Sequence, residues 1–489
     1  MHFDKSFIKN ILPKSELLYD NFPENINLTV DSRKINNNDV FVAIVGSKTD
    51  GHNFVKEAIE QGASGLIISN KECLSQIDKK KLNDKFVVVV DNTITALRKL
   101  ATAWRAQFNY PVIAITGSIG KTSTKQITEN ILKLHGLNTL VTNGNQNSLI
   151  GVSLNLLRMR KDHQVAILEL GINKRGEMAN LVEIVRPTIA LINSVGHSHM
   201  EGLGSISDVA TEKREVFKFF KEDNIGIING DQPQLADIGY SHPVVKFGAK
   251  ITNHIQARKI RIIGSQINFV LKIYKKKYNI VLNNNHTGSV FNSLAAISIG
   301  CLLNISNETM IKAIQIPIEV KGRFELKKLN YGTSKMIDDC YNASPESMKA
   351  ALLAFEKIET KAEKIAIIGD MMELGADSSF WHRQIGRFLR KVPSLKHLIL
   401  VGDMVKWTKL TLPVNLSVEV LGTWQEAVKS LENRINTKES LILVKGSTMG
   451  YTEGLYNLVQ FFTASKADLK FKNSEIMKNT KVNTEAIQI

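Results

Sequence analysis

Nine residues, Ile115-Thr-Gly-Ser-Ile-Gly-Lys-Thr-Ser123, carry the strongest chemical signal in the chain. They follow an apolar run, Val112-Ile-Ala-Ile115, that reads as a buried strand. They precede a helical pattern from Thr122 to His135. A strand, a glycine loop and a helix in that order make a phosphate cradle. Gly117 and Gly120 let the backbone bend close to an anion. The stretch Gly117, Ser118, Ile119, Gly120, Lys121, Thr122 and Ser123 then brings amides and a helix dipole toward phosphate oxygens. Lys121 is long enough to reach the terminal phosphates, and the Thr122 hydroxyl suits Mg²⁺. The spacing departs from GxxxxGK[ST], whose first glycine would fall at Ile115. The plainer reading, a glycine turn feeding a helix with an exposed lysine, is disfavoured by Gly-Lys-Thr in this setting.

Magnesium asks for hard oxygen ligands in near-octahedral geometry. Parallel sheets collect ligands at the carboxyl ends of their strands, and Glu169 stands there, after Val165-Ala-Ile-Leu168. A strand-end surface carboxylate is the plainer and lesser alternative. The run Asn193-Ser-Val-Gly-His-Ser-His-Met-Glu-Gly-Leu-Gly204 follows another strand and puts two histidines, an acid and glycines in one loop. Loops of that kind carry function. One of the histidines joining the metal site and both being ordinary polar residues are balanced alternatives.

These groups need elements to hold them. The chain has 489 residues, enough for about three domains at roughly 100–200 residues each. Hydrophobic residues make up 43% and charged residues 22%, which fits a globular protein with sizeable cores. Residues 1–108 alternate short apolar runs with turns. Strands are expected at Asp39 to Val45, Leu66 to Ile68 and Phe86 to Val90, and helices at Phe54 to Gln61 and Thr95 to Phe108. Residues 109–320 place the glycine loop in a mostly parallel sheet with crossover helices, with a basic antiparallel insert at 250–282. Residues 321–464 begin a third pattern, a doubly wound, Rossmann-like sheet from Ile365 to Ile368, His397 to Val401 and Leu441 to Val444. Residues 465–489 read as a polar, frayed tail. The fold class is therefore α/β in three domains, with a central ATPase-like parallel sheet between two smaller α/β domains.

The formal charge of +16 is spread along the chain. Its densest runs, Lys79-Lys80-Lys81 and Lys275-Lys276-Lys277, have no aromatic platform beyond Tyr274 and Tyr278. The excess reads as a solvated basic surface that also favours a small anionic substrate, and no nucleic-acid partner is expected. Cys73, Cys301 and Cys340 lie far apart without a CxxC, which argues against a disulfide scaffold or a zinc knuckle and suits a reducing compartment. No run of about 18 uninterrupted apolar residues occurs and the N-terminus lacks a signal-like apolar core, so a cytoplasmic chain with no integral membrane segment is expected.

Motifs in all three blocks then fall into a recognisable order. They are Asp31-Ser-Arg33, Asp39-Val-Phe-Val-Ala43 and Asp50-Gly-His-Asn-Phe54; then Thr116 to Thr122, Gly144-Asn-Gln-Asn147, Glu169-Leu-Gly171 and His199-Met-Glu-Gly-Leu-Gly-Ser205. Last come Asp338-Asp-Cys-Tyr-Asn-Ala-Ser-Pro345, Gly369-Asp-Met-Met-Glu-Leu-Gly375, His382 with Ile385-Gly386, and Val444-Lys-Gly-Ser447. From about residue 30 to 460 the set resembles the Mur ligases, ATP-dependent enzymes that add amino acids to the peptidoglycan precursor. The Asp338 to Pro345 string is most like the branch that adds a dipeptide.

The resemblance implies ATP and Mg²⁺ as cofactors and an N-terminal domain that binds a UDP-sugar. It implies UDP-N-acetylmuramoyl-tripeptide and D-Ala-D-Ala as substrates, and a monomer is expected. Lys121 and Thr122 would hold phosphates and Mg²⁺, and Glu169 and His199 would serve the metal. Lys213, in Ala210-Thr-Glu-Lys213, matches a lysine that carries a carbamate in relatives, which would make it an oxygen ligand; Lys121, Lys213 and His199 form the catalytic set. Asn292 would contact adenine, Arg323 the phosphates and Asp339 the ribose. Ser32, Arg33 and Asn147 would bind the nucleotide-sugar substrate, and Asn342 and Ser344 the dipeptide. Lys445 could neutralise the dipeptide carboxylate. Plainer roles stand beside these: Lys213 on a helix surface, Asp339 in a turn, and Ser344 before Pro345 and Glu346 as a helix cap. The chain departs from the family pattern at Ile119, Ser148-Leu149, Ser153 and Thr448-Met-Gly450.

Amide formation from a carboxylate needs activation. ATP can supply it as an acyl phosphate that the amine attacks, with protein charges positioned around the transferring group. A folylpolyglutamate-type ligase, another Mur-type ligase, a P-loop kinase and a low-activity UDP-sugar-binding paralogue remain as alternatives. Residues 30–90 argue against the folate-type ligase, and intact Lys121, Glu169, His199 and Lys213 argue against the paralogue.

Overall fold

The computed structural model describes residues 5–23, 26–46, 49–284, 286–330, 332–447 and 453–463. The expected polar tail and the departure at Thr448-Met-Gly450 lie outside the described residues. Three α/β sheets organise the chain. The first holds β1 (Glu16–Asp20), β2 (Asn27–Thr29), β3 (Asp39–Val42), β4 (Gly65–Ile68) and β5 (Phe86–Val89), in the order β1-β5-β4-β3-β2. All its pairings are parallel except β1 on β5.

The second sheet holds β6 (Val112–Thr116), β7 (Thr139–Val141), β8 (Val165–Glu169), β9 (Ile189–Ile192), β10 (Ile225–Asn229) and β11 (Val244–Gly248), in the order β11-β10-β9-β6-β8-β7. Every pairing is parallel. These strands are apolar and buried end to end, as a sheet covered on both faces requires. The basic insert is β12 (Ile255–Ile263), β13 (Gln266–Ile273) and β14 (Lys276–Leu282), with β13 and β14 antiparallel. The third sheet holds β15 (Glu325–Lys328), β16 (Lys335–Asp339), β17 (Glu363–Gly369), β18 (Leu395–Val401), β19 (Ser417–Leu421) and β20 (Ser440–Lys445), in the order β15-β16-β20-β17-β18-β19. Only the β15 edge is antiparallel.

Local chemistry sets the boundaries. The strand expected to reach Val45 stops at Val42, because the chain turns back: Gly51 N–H donates to Ile44 O at 2.8 Å, and Val45 bridges to Asp50 alone. A Cβ at Gly51 would lie 2.6 Å from Ile44 N, so only glycine allows that closeness. The helix expected from Thr95 starts at Thr93, since the Asn92 side chain accepts from Thr95 N–H and takes the cap position. The apolar stretch from Val290 onward lies in a largely buried helix, Gly288–Leu302. No helix among the described residues is long and apolar enough to cross a membrane.

By contact density the chain divides into two compact units. One comprises the described residues of 1–195, 210–255 and 292–314 and the other those of 196–209, 256–291 and 315–489. In the first, the helix Thr93–Arg105 fastens the first sheet to the second. Trp104 Nε1 donates to Met159 O at 3.1 Å, and the buried Arg105 guanidinium donates to the carbonyls of Val185, Phe108 and Arg186. Burial pulls the Arg105 pKa down, and those carbonyls satisfy its donors.

In the second unit, apolar clusters cover both faces of the third sheet. Leu352, Phe355 and Leu398 lie in one, and Ile367, Leu431 and Val459 in the other. The helix Ser378–Phe388 crosses the short helix Val405–Lys409 at Gly386, where a Cβ would meet Thr408 O and Thr411 Oγ1 at 2.3 Å. Gly386→Ala in a solvated helix would stabilise by about 1 kcal/mol; here overpacking should outweigh that, at about 1–3 kcal/mol. The expected outcome is a lower thermal midpoint for Gly386→Ala than for the parent chain, and a raised midpoint would contradict this packing.

Candidate active site

The loop after β6 has the cradle shape its composition demands. Gly117 and Gly120 take φ of 151° and 83°, and the helix Lys121–His135 starts directly after Gly120. The first turn of any helix leaves N–H groups without intrahelical partners. Lys121 Nζ folds over the loop and donates to Gly117 O at 2.7 Å. One expectation needs correcting. The amides of Ser118 and Ile119 do not open to a ligand, because they donate to Ser194 O at 2.8 Å and Ser194 Oγ at 3.0 Å. The anion-facing amides are left to the residues from Gly120 onward.

The loop is braced from behind. Asn193 Nδ2 donates to Ile119 O and to Asn292 Oδ1, each at 3.0 Å, and Thr124 Oγ1 donates to Asn292 Oδ1 at 3.4 Å. A Cβ at Gly120 would lie 2.0 Å from Asn193 Nδ2 and 2.4 Å from Asn292 Oδ1. Asn292, expected against adenine, thus spends its side-chain oxygen on the loop itself.

Glu169 ends β8 with 1% exposure. Its Oε1 accepts from Thr122 Oγ1 at 3.2 Å and from Asn147 Nδ2 at 2.9 Å. Its Oε2 lies 3.4 Å from Lys125 Nζ but takes no hydrogen bond. Lys125 donates instead to the carbonyls of Thr142 and Gly144. A buried carboxylate oxygen without a donor, beside a threonine hydroxyl, fits a hard divalent cation. Among the described residues no group of three or more His, Cys, Asp or Glu side chains gathers as a metal cluster. A cation here would therefore draw on hydroxyl, carboxylate, water and phosphate oxygens, as Mg²⁺ does.

Lys213 is not a surface lysine. It has 1% exposure on the helix Ile206–Arg214. Burial, and secondly the Lys121 charge, push its pKa well below the usual lysine value, against the pull of Glu212. Glu212 is itself held by the N–H groups of Gly176 and Met178. Ser32 and Arg33 lie in this same unit. Ser32 is buried and donates to Glu57 Oε2 at 3.3 Å, whereas Arg33 is exposed and forked onto Asp31.

The second unit holds the remaining candidates. His199 takes a left-handed φ of 59°, and its Nδ1 lies 2.6 Å from Glu373 Oε2, in ion-pair range without hydrogen-bond alignment. His197 pairs through its ring and its backbone N–H with Glu346 Oε1, and its ring centroid lies 4.1 Å from that of Trp381. Arg323 stacks on Tyr341 at 4.1 Å. The Asp339 carboxylate is engaged by Lys445 Nζ at 2.7 Å and Phe324 N–H at 3.2 Å. Lys445 is fully buried and also donates to Asn342 O, so the expected role at a dipeptide carboxylate gives way to a structural one. Asn342 Oδ1 accepts from Ala343 N–H and Ser447 Oγ. Ser344 caps the helix Pro345–Glu356 in a capping box with Ser347.

Sequence reasoning passed over Lys125 and gave no individual role to Asn193, Ser194 or Glu373. Lys125 had a readable signal: it lies four residues after Lys121 on the apolar face that also carries Thr124 and Thr128. Glu373 sits in a quoted motif but had no partner until the chain folded.

Comparison with known proteins gives three consecutive domain matches. Residues 26–105 match the Mur ligase family catalytic domain, 115–300 the Mur ligase middle domain, and 322–448 the Mur ligase glutamate ligase domain. The UDP-N-acetylmuramoyl-tripeptide–D-alanyl-D-alanine ligase of Bacillus subtilis is 33% identical over 391 residues, covering 78% of this chain and 82% of that protein. The Escherichia coli enzyme of the same name is 33% identical over 380 residues, covering 77% and 81%. A crystal structure of MurF from Acinetobacter baumannii superposes with a TM-score of 0.80 at 28% identity, covering 94% of this chain and 99% of that one. The MurF ligase of Thermotoga maritima in complex with ADP superposes at 0.74 and 25% identity, covering 88% and 96%.

Gly120→Ala should weaken ADP binding by about tenfold or more, since a left-handed Cβ costs roughly 1–2 kcal/mol before its clash with Asn193 is counted. Calorimetric titration of ADP checks it, with circular dichroism showing the fold retained. Unchanged affinity would contradict the wedge of Gly120 between Asn193 and Asn292.

Proposed function

The chain belongs to the Mur ligase family, and from that premise we propose that it joins D-Ala-D-Ala to UDP-N-acetylmuramoyl-tripeptide at the expense of ATP. This is a step of peptidoglycan precursor synthesis, and the cytoplasm is where it would run. The observation that carries the reading is the run of three domain matches in order, with relatives of that name at about one-third identity over most of the chain.

The chemistry needs two displacements. The tripeptide carboxylate attacks the γ-phosphorus, the bond to the ADP oxygen breaks, and an acyl phosphate forms. The dipeptide amine, having lost a proton, attacks the acyl carbon, and phosphate leaves from the tetrahedral intermediate. Little covalent work falls to the protein; positioning and charge neutralisation do most of it. Lys121 supplies a cation at the transferring phosphoryl group, and the helix start after Gly120 supplies oriented amides. Thr122, Glu169 and a carbamate on Lys213 would hold Mg²⁺, and His199 is the further metal-serving residue that the family resemblance implies. Bound there, the ion would neutralise phosphate charge.

Lys213 is suited to carbamate formation. Burial lowers its pKa well below the usual lysine value and so favours the neutral amine, the form that attacks CO₂; an N–C bond forms, one proton leaves to solvent, and an oxyanion results. The first sheet would take the UDP-sugar, through Ser32 and Arg33, with Asn147 meeting the peptide end beside Glu169. By the family resemblance, Arg323 would meet phosphates and Asp339 a ribose. The Asn342–Ser344 loop would seat the dipeptide by shape and backbone groups. Its Asn342 and Ser344 side chains are already spent on Ser447 and the helix cap.

Two outcomes follow. Lys121→Ala should lower kcat by about 10²–10³ in a folded protein, the usual scale for losing one charge at a reacting centre; near-normal turnover would remove the phosphate-loop assignment. Offered D-Ala-D-Ala, L-Ala-L-Ala and single amino acids with the same nucleotide substrate and ATP, the enzyme should form product, identified by mass, with D-Ala-D-Ala. Preference for a single amino acid would move the chain to another branch of the family.

A further inference from the structure

Residues 378–418 are strongly basic, as is the insert at 250–282. They hold seven lysines and arginines and a single acid, Asp403. They include the helix Ser378–Phe388, the helix Val405–Lys409 and the loop that follows, packed together at Gly386. The Trp407 ring sits between two cations, with Arg383 Cζ at 4.4 Å and Lys406 Nζ at 5.9 Å from its centroid. Lys406, Lys409 and Arg387 are exposed. Beside them Leu410 is 67% exposed and Val414 is 99% exposed. The neighbouring acid Glu419 is already neutralised by Arg434.

An isolated exposed leucine means little. Bulky apolar side chains at the rim of a cationic patch, with a tryptophan among them, are the composition of an interfacial anchor. The two halves act on one surface: cations draw the protein toward anionic headgroups, and the apolar tips enter the acyl boundary. We propose that the face formed by Arg383, Arg387, Lys406, Trp407, Leu410 and Val414 docks the enzyme peripherally on a membrane rich in anionic lipid. Charge complementarity favours this occupant over a second copy of the chain, because two such faces would repel. The basic β13–β14 hairpin makes a natural contrast. There Lys272 stands opposite Lys277 across the strand pair, so charge is present with only Tyr274 exposed at the tip.

The test is sedimentation of the full chain with vesicles of phosphatidylcholine and phosphatidylglycerol, and with vesicles of phosphatidylcholine alone. The parent chain should bind the anionic vesicles, less so as salt rises, and should not bind the neutral ones. Lys406→Glu with Lys409→Glu, and separately Leu410→Ser with Val414→Ser, should each reduce the partition coefficient by about tenfold or more. Turnover in vesicle-free buffer should stay unchanged in both. Should one pair fail to fold by thermal midpoint, the other pair decides. Absence of binding at low salt, equal binding to neutral vesicles, or loss only when Lys275, Lys276 and Lys277 are changed to Glu would overturn the proposal. A salt-sensitive dimer in place of vesicle binding would overturn it as well.

Discussion

Dry ionisable groups around the phosphate loop set the terms for the rest of the first unit. An ammonium taken out of water costs several kcal/mol unless it is paired or gives up its proton. Lys213 is pushed toward the second course: burial and then the Lys121 charge lower its pKa well below the usual lysine value, and Glu212 spends itself on backbone amides. Lys125 and Glu169 take the other course. Their pairing joins the loop helix to the end of β8, and Thr142 and Gly144 hold Lys125 in place. Removing one member of such a pair typically costs about 3–5 kcal/mol, because the other charge is left buried alone. The loop therefore cannot shift without disturbing β8, and its glycines cannot acquire side chains without striking Asn193.

The second unit uses the same device at its strand ends. Lys445 at the end of β20 and Asp339 at the end of β16 neutralise each other across the sheet. The Lys445 ammonium also pins the Asn342 carbonyl, so the Asn342–Ser344 loop inherits its position from a buried ion pair. Residues 196–209 lie with this unit, although they follow a strand of the second sheet. Two histidine–glutamate pairs, His197–Glu346 and His199–Glu373, explain that, reinforced by Glu201 N–H on Glu373 O. The sequence motif Gly369 to Gly375 is in part the socket for that segment.

Much of this was legible before folding, and the reason is period and punctuation. Buried parallel strands such as Ile189–Ile192 are unbroken apolar runs, and glycines mark the turns after them. Edge elements were harder. β1 (Glu16–Asp20) and β19 (Ser417–Leu421) are half-buried and mixed in character, so neither period stands out. At the site, side-chain type announced Lys121, Thr122 and Glu169 as candidate ligands. It could not announce that Ser118 and Ile119 spend their amides on Ser194, that Asn292 braces the loop, or that Lys445 is buried. Those are pairings over long sequence separation, and only the topology decides them.

The central claim is that the buried Lys213 amine, its pKa lowered by burial, is the group that takes up CO₂. Carbon-13 NMR of the full chain in ¹³C-bicarbonate buffer with Mg²⁺ and ADP addresses it directly. A carbamate resonance present in the parent chain and missing from Lys213→Arg is the result this account predicts. Identical spectra for the two proteins, with both folded and binding ADP, would contradict it.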